Sequence, residues 1–201
     1  TIESQRLLVP VTVELAPNEV ALLREHADMR RQFGLSVEEF GGGTVLVGGD
    51  YHGRNTDIRN ALRTYIGPDA RIAADAVESG NGGKVIVWAD DWTIFYGTIT
   101  ARGGVESGNG GFVEVSGKNF LHFNGKVDTS APNGMTGTLL LDPSTLQITS
   151  GAAVADDLSV NAADGTVLAG DAEGGTTNGV AELTLEGLAA TTNVILEATG
   201  Q

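Results

Sequence analysis

Val77-Glu78-Ser79-Gly80-Asn81-Gly82-Gly83 returns as Val105-Glu106-Ser107-Gly108-Asn109-Gly110-Gly111, 28 residues further on, and this repeat constrains the fold more than any other feature. Each copy runs into an apolar alternation, Lys84-Val85-Ile86-Val87 after the first and Phe112-Val113-Glu114-Val115 after the second. That alternation is the mark of a half-buried strand. Looser copies flank the pair, Gly42-Gly43-Thr44-Val45-Leu46-Val47 before it and Thr136-Gly137-Thr138-Leu139-Leu140-Leu141 after it. The interval from Gly43 to Gly83 is 40 residues, so the first unit carries an inserted loop.

Two more strand positions keep the same step. Arg71-Ile72-Ala73, Thr98-Ile99-Thr100 and Lys126-Val127-Asp128 form one series, and Thr93-Ile94-Phe95-Tyr96 with Phe120-Leu121-His122-Phe123 form another. A unit of three short strands cannot bury its apolar face alone, but stacked copies can. The predicted fold is therefore all-β: a right-handed parallel β-helix, or solenoid, in which Val113 lies over Val85. In that register Val113 and Val115 point inward, while Phe112 and Glu114 face solvent. A propeller blade of roughly 40 residues would give no reason for aligned Gly-Gly corners. Further, less regular strands are expected at 145–149, 165–169, 181–186 and 193–198.

Residues 1–41 do not share the repeat. Residues 7–13 read as a strand, 17–33 as a helix opened by Pro17 and ended by Gly34, and 35–40 as a returning strand. The expected organisation is a short N-terminal strand-helix-strand cap over 1–41 and a β-helix repeat domain over 42–201, with the cap closing an end of the solenoid that would otherwise expose core.

Composition agrees with a layered β-structure: 29 glycines against 5 prolines supply tight turns, and 41% hydrophobic residues supply a core. The net charge of −14 argues against contact with nucleic-acid phosphates, and no stretch is long and apolar enough to span a membrane. There is no cysteine, which removes disulfides and thiolate chemistry. The first residues, from Thr1 to Arg6, do not read as a signal peptide.

No residue set reads as catalytic, cofactor-binding or metal-binding. His26, His52 and His122 lack a second ligand at metal-site spacing. Asp90-Asp91 and Asp156-Asp157 read as solvated turns, because the nonapeptide of calcium-binding β-rolls is absent. Gly82-Gly83-Lys84 precedes a strand and lacks the Ser or Thr of a phosphate loop. Ser79, Ser107 and Ser116 read as corner residues without a nucleophile elbow. Trp88, Trp92 and Tyr96 could form a recognition patch, although packing in the wall is the simpler account.

Two resemblances emerge from these strings. Gly42 to Tyr51, Val85-Ile86-Val87-Trp88-Ala89-Asp90-Asp91, Ser107 to Lys118 and Leu139-Leu140-Leu141-Asp142-Pro143 resemble filamentous-haemagglutinin-like exoproteins of two-partner secretion. That resemblance implies a non-catalytic adhesin module at the cell surface or outside the cell, a monomer with a host-surface or glycan ligand. Gln5-Arg6-Leu7-Leu8-Val9-Pro10, Leu22-Leu23-Arg24-Glu25-His26 and Phe40-Gly41 are similar to the C-terminal region of the MutL family of DNA mismatch-repair proteins. Neither that family's ATPase domain nor its metal-binding endonuclease motif is evident, so this second resemblance transfers no repair activity. The two meet at 42–47, which leaves an artificial join of two families, and a polysaccharide-binding or polysaccharide-active β-helix, as alternatives.

Overall fold

The computed structural model describes residues 41–149, 179–188 and 190–198. The chain divides into two compact units, Thr1–Glu39 and Phe40–Gln201, and every described residue belongs to the second. The strand, helix and strand expected within 7–40, and the strand expected at 165–169, lie outside the described residues.

The repeat builds three rows. The first holds β1 (Thr44–Val47), β2 (Arg63–Ile66) and β3 (Arg71–Ala73); the second β4 (Lys84–Ala89), β5 (Trp92–Phe95) and β6 (Thr98–Thr100); the third β7 (Phe112–Gly117), β8 (Phe120–Phe123) and β9 (Lys126–Asp128). Corresponding strands pair in parallel from row to row. Val85 lies beside Val113, Trp92 beside Phe120 and Ile99 beside Val127, so the sequence repeat is the sheet register. The inward set Val85, Val87, Val113, Val115, Phe95, Leu121, Phe123, Ile99 and Val127 forms one core from all three sheets.

The glycine corners follow from how closely the rows approach. A Cβ on Gly111 would collide with the Gly83 carbonyl of the preceding row. Only glycine lets the backbones meet there at sheet spacing.

Beyond β9 the regular rise ends, and the expectation of an all-β, right-handed parallel β-helix is corrected. β10 (Thr138–Leu141) takes its place beside β7, but β11 (Gln147–Thr149) does not stack on β8. Instead β12 (Gly179–Ala181) inserts between them, giving the order β11-β12-β8-β5-β2. The chain then enters helix α1 (Glu182–Leu188), which packs on β9 where a further strand of that sheet would lie. The edge of β9 is closed by the turn after the helix, with the Thr129 N–H donating to the Thr191 carbonyl at 3.1 Å. β13 (Asn193–Leu196) finishes beside β10. Among the described residues there are thus three parallel sheets of five, five and three strands and one helix, not a pure solenoid.

The strand expected at 181–186 is helical from Glu182 onward. Ala181, Leu183 and Leu185 alternate with polar residues and so imitate a strand. What is buried follows the helical step instead: Leu188 is 3% exposed and Leu185 packs against the core, whereas Leu183 is 55% exposed. No described helix is long and apolar enough to cross a membrane.

Candidate functional site

The inserted loop between β1 and β2 builds the one site in the described residues where buried ionisable groups converge. The Ala61 N–H donates to the Gly48 carbonyl at 2.6 Å and closes residues 48–61 into a compact loop. Within it Asp50 accepts the Tyr51 N–H at 2.7 Å and caps a 3-10 turn over Tyr51–Gly53. His52 in that turn has φ 53° and ψ 18°, alone among the described non-glycine residues in the left-handed region, at a cost of about 1–2 kcal/mol. Gly53 follows at φ 63°, and a Cβ there would run into the Trp88 indole.

This loop lies on the outer face of the sheet of β1, β4, β7, β10 and β13. Tyr51 meets Phe112 edge-on with ring centroids 5.8 Å apart. Lys84 Nζ reaches Asp50 at 3.2 Å and lies 5.4 Å from the centre of the Tyr51 ring. Asn60 Nδ2 donates to the Gly53 carbonyl and to Asp90 Oδ1, each at 2.9 Å.

Beneath the loop sits Glu114, expected in solvent but wholly buried. The alternation placing Val113 and Val115 inward holds, but outward is not exposed here, because the insertion covers the outer row. The Glu114 carboxylate accepts the His52 N–H at 3.3 and 3.4 Å, both long. His52 Nδ1 lies 3.1 Å from Asp142 Oδ2, and Asp142 is 3% exposed. The Asp142 N–H donates to Ser116 Oγ at 3.2 Å. Burial pushes the Glu114 carboxyl up to about 7, and the nearby charge of Asp142 adds to this, against the bonds from His52 and Ser116 and the charge of Lys84. Tyr51 is raised as well, first by burial and then by Glu114 and Glu197.

Local spacing gives His52 no acidic neighbour at a metal-site interval; chain closure brings Glu114 and Asp142 to it from distant rows. The sequence did carry a signal. Glu114 is in register with Ile86 and Leu140, both apolar on the same outward row, and an apolar outward row next to an inserted loop marks a covered face. Among the described residues no group of three or more His, Cys, Asp or Glu could hold a metal ion. A hollow of about 300 Å³ opens beside the cluster, lined by His52, Gly53, Arg54, Trp88, Asp90 and Lys118.

The other candidates resolve into structural roles. Asp90 Oδ1 also accepts the Trp88 Nε1 proton at 3.1 Å, and Asp91 pairs with Arg63 at 3.3 Å. Lys84 begins β4 as a strand residue. Ser79 and Ser107 bridge adjacent rows in parallel, while Ser116 lies buried in β7 and not at a corner. Trp88 and Trp92 are 2% and 4% exposed, so they pack in the wall and offer no open patch. His122 is buried beside Tyr96. His26, Asp156 and Asp157 lie outside the described residues.

Comparison with known proteins bears chiefly on the N-terminal part of the chain. Residues 1–49 match a family model described as the MutL C terminal dimerisation domain. The likeness is to MutL. The DNA mismatch repair protein MutL of Geotalea uraniireducens is 45% identical over 85 residues, covering 38% of this chain and 14% of that protein. MutL of Symbiobacterium thermophilum is 42% identical over 53 residues, and MutL of Bartonella bacilliformis 46% over 46 residues, each covering 8% of the relative. The chain thus spans a small part of the relatives it matches.

These matches overturn the exported-adhesin reading. The matching proteins are named for DNA mismatch repair, and none of them is a filamentous haemagglutinin. Gly-rich corners follow from how closely stacked rows approach one another, so they reported geometry and carried no destination. The extracellular placement, the host-surface or glycan ligand and the two-partner secretion role fall with that reading. The expected monomer is corrected by a match to a dimerisation domain. The exclusion of nucleic-acid work is also withdrawn, because net charge governs direct phosphate contact and not assembly with repair partners.

Proposed function

We propose that the chain is a non-catalytic self-association module serving DNA mismatch repair in the manner of MutL, pairing with a second copy through residues 1–49. The observation that carries this reading is the match of those residues to a MutL C terminal dimerisation domain. The non-catalytic half is supported by how the buried cluster is committed. The Glu114 carboxylate already accepts the His52 backbone N–H, and His52 Nδ1 already faces Asp142, under a closed loop. A general base must reach a substrate proton, and these groups are turned toward one another.

Sedimentation velocity of the full chain over a range of concentrations tests the association. A monomer–dimer equilibrium is expected, with dimer displaced by an added MutL C-terminal region. A monomer at every concentration overturns it. Nicking of supercoiled plasmid by the purified chain with added divalent metal would overturn the non-catalytic half alone.

A further inference from the structure

We propose that residues 48–61 are a pH-sensitive strap, clamped across the outer face of the five-stranded sheet by His52 on Glu114 and Asp142 in mildly acidic solution and loosened in mildly alkaline solution. The strap is a closed loop whose ends meet at Gly48 and Ala61, so it can lift as a unit without disturbing the strands on either side. Its central residue is held in the left-handed region, a conformation that persists only while its surroundings enforce it.

The enforcement comes from the seat beneath. Among the described residues, the titratable and charged groups facing that seat are Asp50, Tyr51, His52 and Arg54 from the strap, Lys84 from β4, Asp142 after β10 and Glu197 after β13. With Glu114 neutral, the buried site sets a single carboxylate, Asp142, against the His52 ring. With Glu114 ionised, two carboxylates share the space, and Lys84 is engaged by Asp50 and the Tyr51 ring. The His52 N–H reaches both Glu114 oxygens at 3.3 Å or more, too long to compensate fully for a buried charge. Ionisation is relieved by letting water in, and water enters when the strap lifts. Burial already makes Glu114 hold its proton up to about 7, which puts the transition near neutrality.

Amide hydrogen exchange on the full chain, corrected for intrinsic base catalysis, tests this. The His52 amide bonds out of the strap to the Glu114 carboxylate. It should lose protection by about tenfold or more on the alkaline side of neutrality, while the amides of Val87 and Val115 should not. Glu114→Gln should keep the strap closed at both pH values. His52→Asn, which tolerates the left-handed backbone and keeps the N–H, should lower protection at every pH and leave the pH dependence in place. Equal protection of the strap on both sides of neutrality overturns the proposal, as does a pH-dependent loss that survives Glu114→Gln. Should Glu114→Gln fail to fold, the unmodified chain still decides, since a loss centred far from neutrality also overturns it.

Discussion

Phe95 and Phe123 lie face to face inside the core, with ring centroids 5.5 Å apart and planes within 6° of parallel. They are register partners on β5 and β8, both fully buried, so the ring pair ties adjacent rows together. Phe95→Ala should cost about 3–5 kcal/mol by the cavity it leaves, and Phe95→Leu markedly less. Urea denaturation of both variants measures the difference.

Val113 and Glu114 test the two faces of β7. Val113→Asp places an unpaired carboxylate in the core and should cost about 3–5 kcal/mol, a large share of a typical domain's stability. Glu114→Ala is no neutral surface change, because it removes the acceptor of the His52 N–H in a buried site. In acidic solution, where the carboxyl is neutral in the parent chain, it should cost about 1–3 kcal/mol, and visibly less above neutrality. Chemical denaturation at two pH values separates the cases.

The pH profile of the parent chain follows from the same carboxyl. Glu114 is raised from 4.5 to about 7 in the folded state, so the folded chain holds the proton more tightly than the unfolded one. Its favourable contribution is complete below 4.5 and is lost as pH rises to about 7, by at most about 3 kcal/mol. Asp75 acts oppositely. Burial raises it, but bonds from Arg102 and Thr100 outweigh burial and hold it below its ordinary 3.8, so the stability it adds is lost as pH falls through that region. Thermal melts should therefore show an acid limb from groups such as Asp75 and a decline toward neutrality that Glu114→Gln flattens.

Gly111→Ala should disrupt the corner, because the new methyl group meets the Gly83 backbone and cannot rotate away. Gly187→Ala on α1 has open space around it and should gain up to about 1 kcal/mol from helix propensity. Opposite shifts in melting temperature are the expected outcome.

Much of the architecture was legible because the repeat and the register are one fact. Val85 and Val113 could be paired from spacing alone, as could Ile99 with Val127. Legibility ended where chain order and spatial order part. Nothing in Gln147–Thr149 announces that its neighbour will be Gly179–Ala181, and the alternation of Ala181, Leu183 and Leu185 favoured the wrong period. The His52 cluster was hidden for a related reason: its members come from an insertion and two separate rows, and no local spacing reports their meeting. Only the apolar partners of Glu114 on the outward row hinted that the face was covered.

The insertion of β12 between β8 and β11 has a consequence for vectorial synthesis. Each strand from β4 to β9 emerges from the ribosome with its partner already made, so those rows can close as they appear. β11 is different: the partner it pairs with, β12, is translated later. Until then Gln147–Thr149 is a nascent strand without a template, and the free flank of β8 is open to any passing edge. A ribosome-stalled chain ending before Gly179 should protect the amides of β4 to β9 while those of β11 exchange freely. Aggregation during expression should concentrate in that translational interval, and slowing elongation across it should lower the soluble yield.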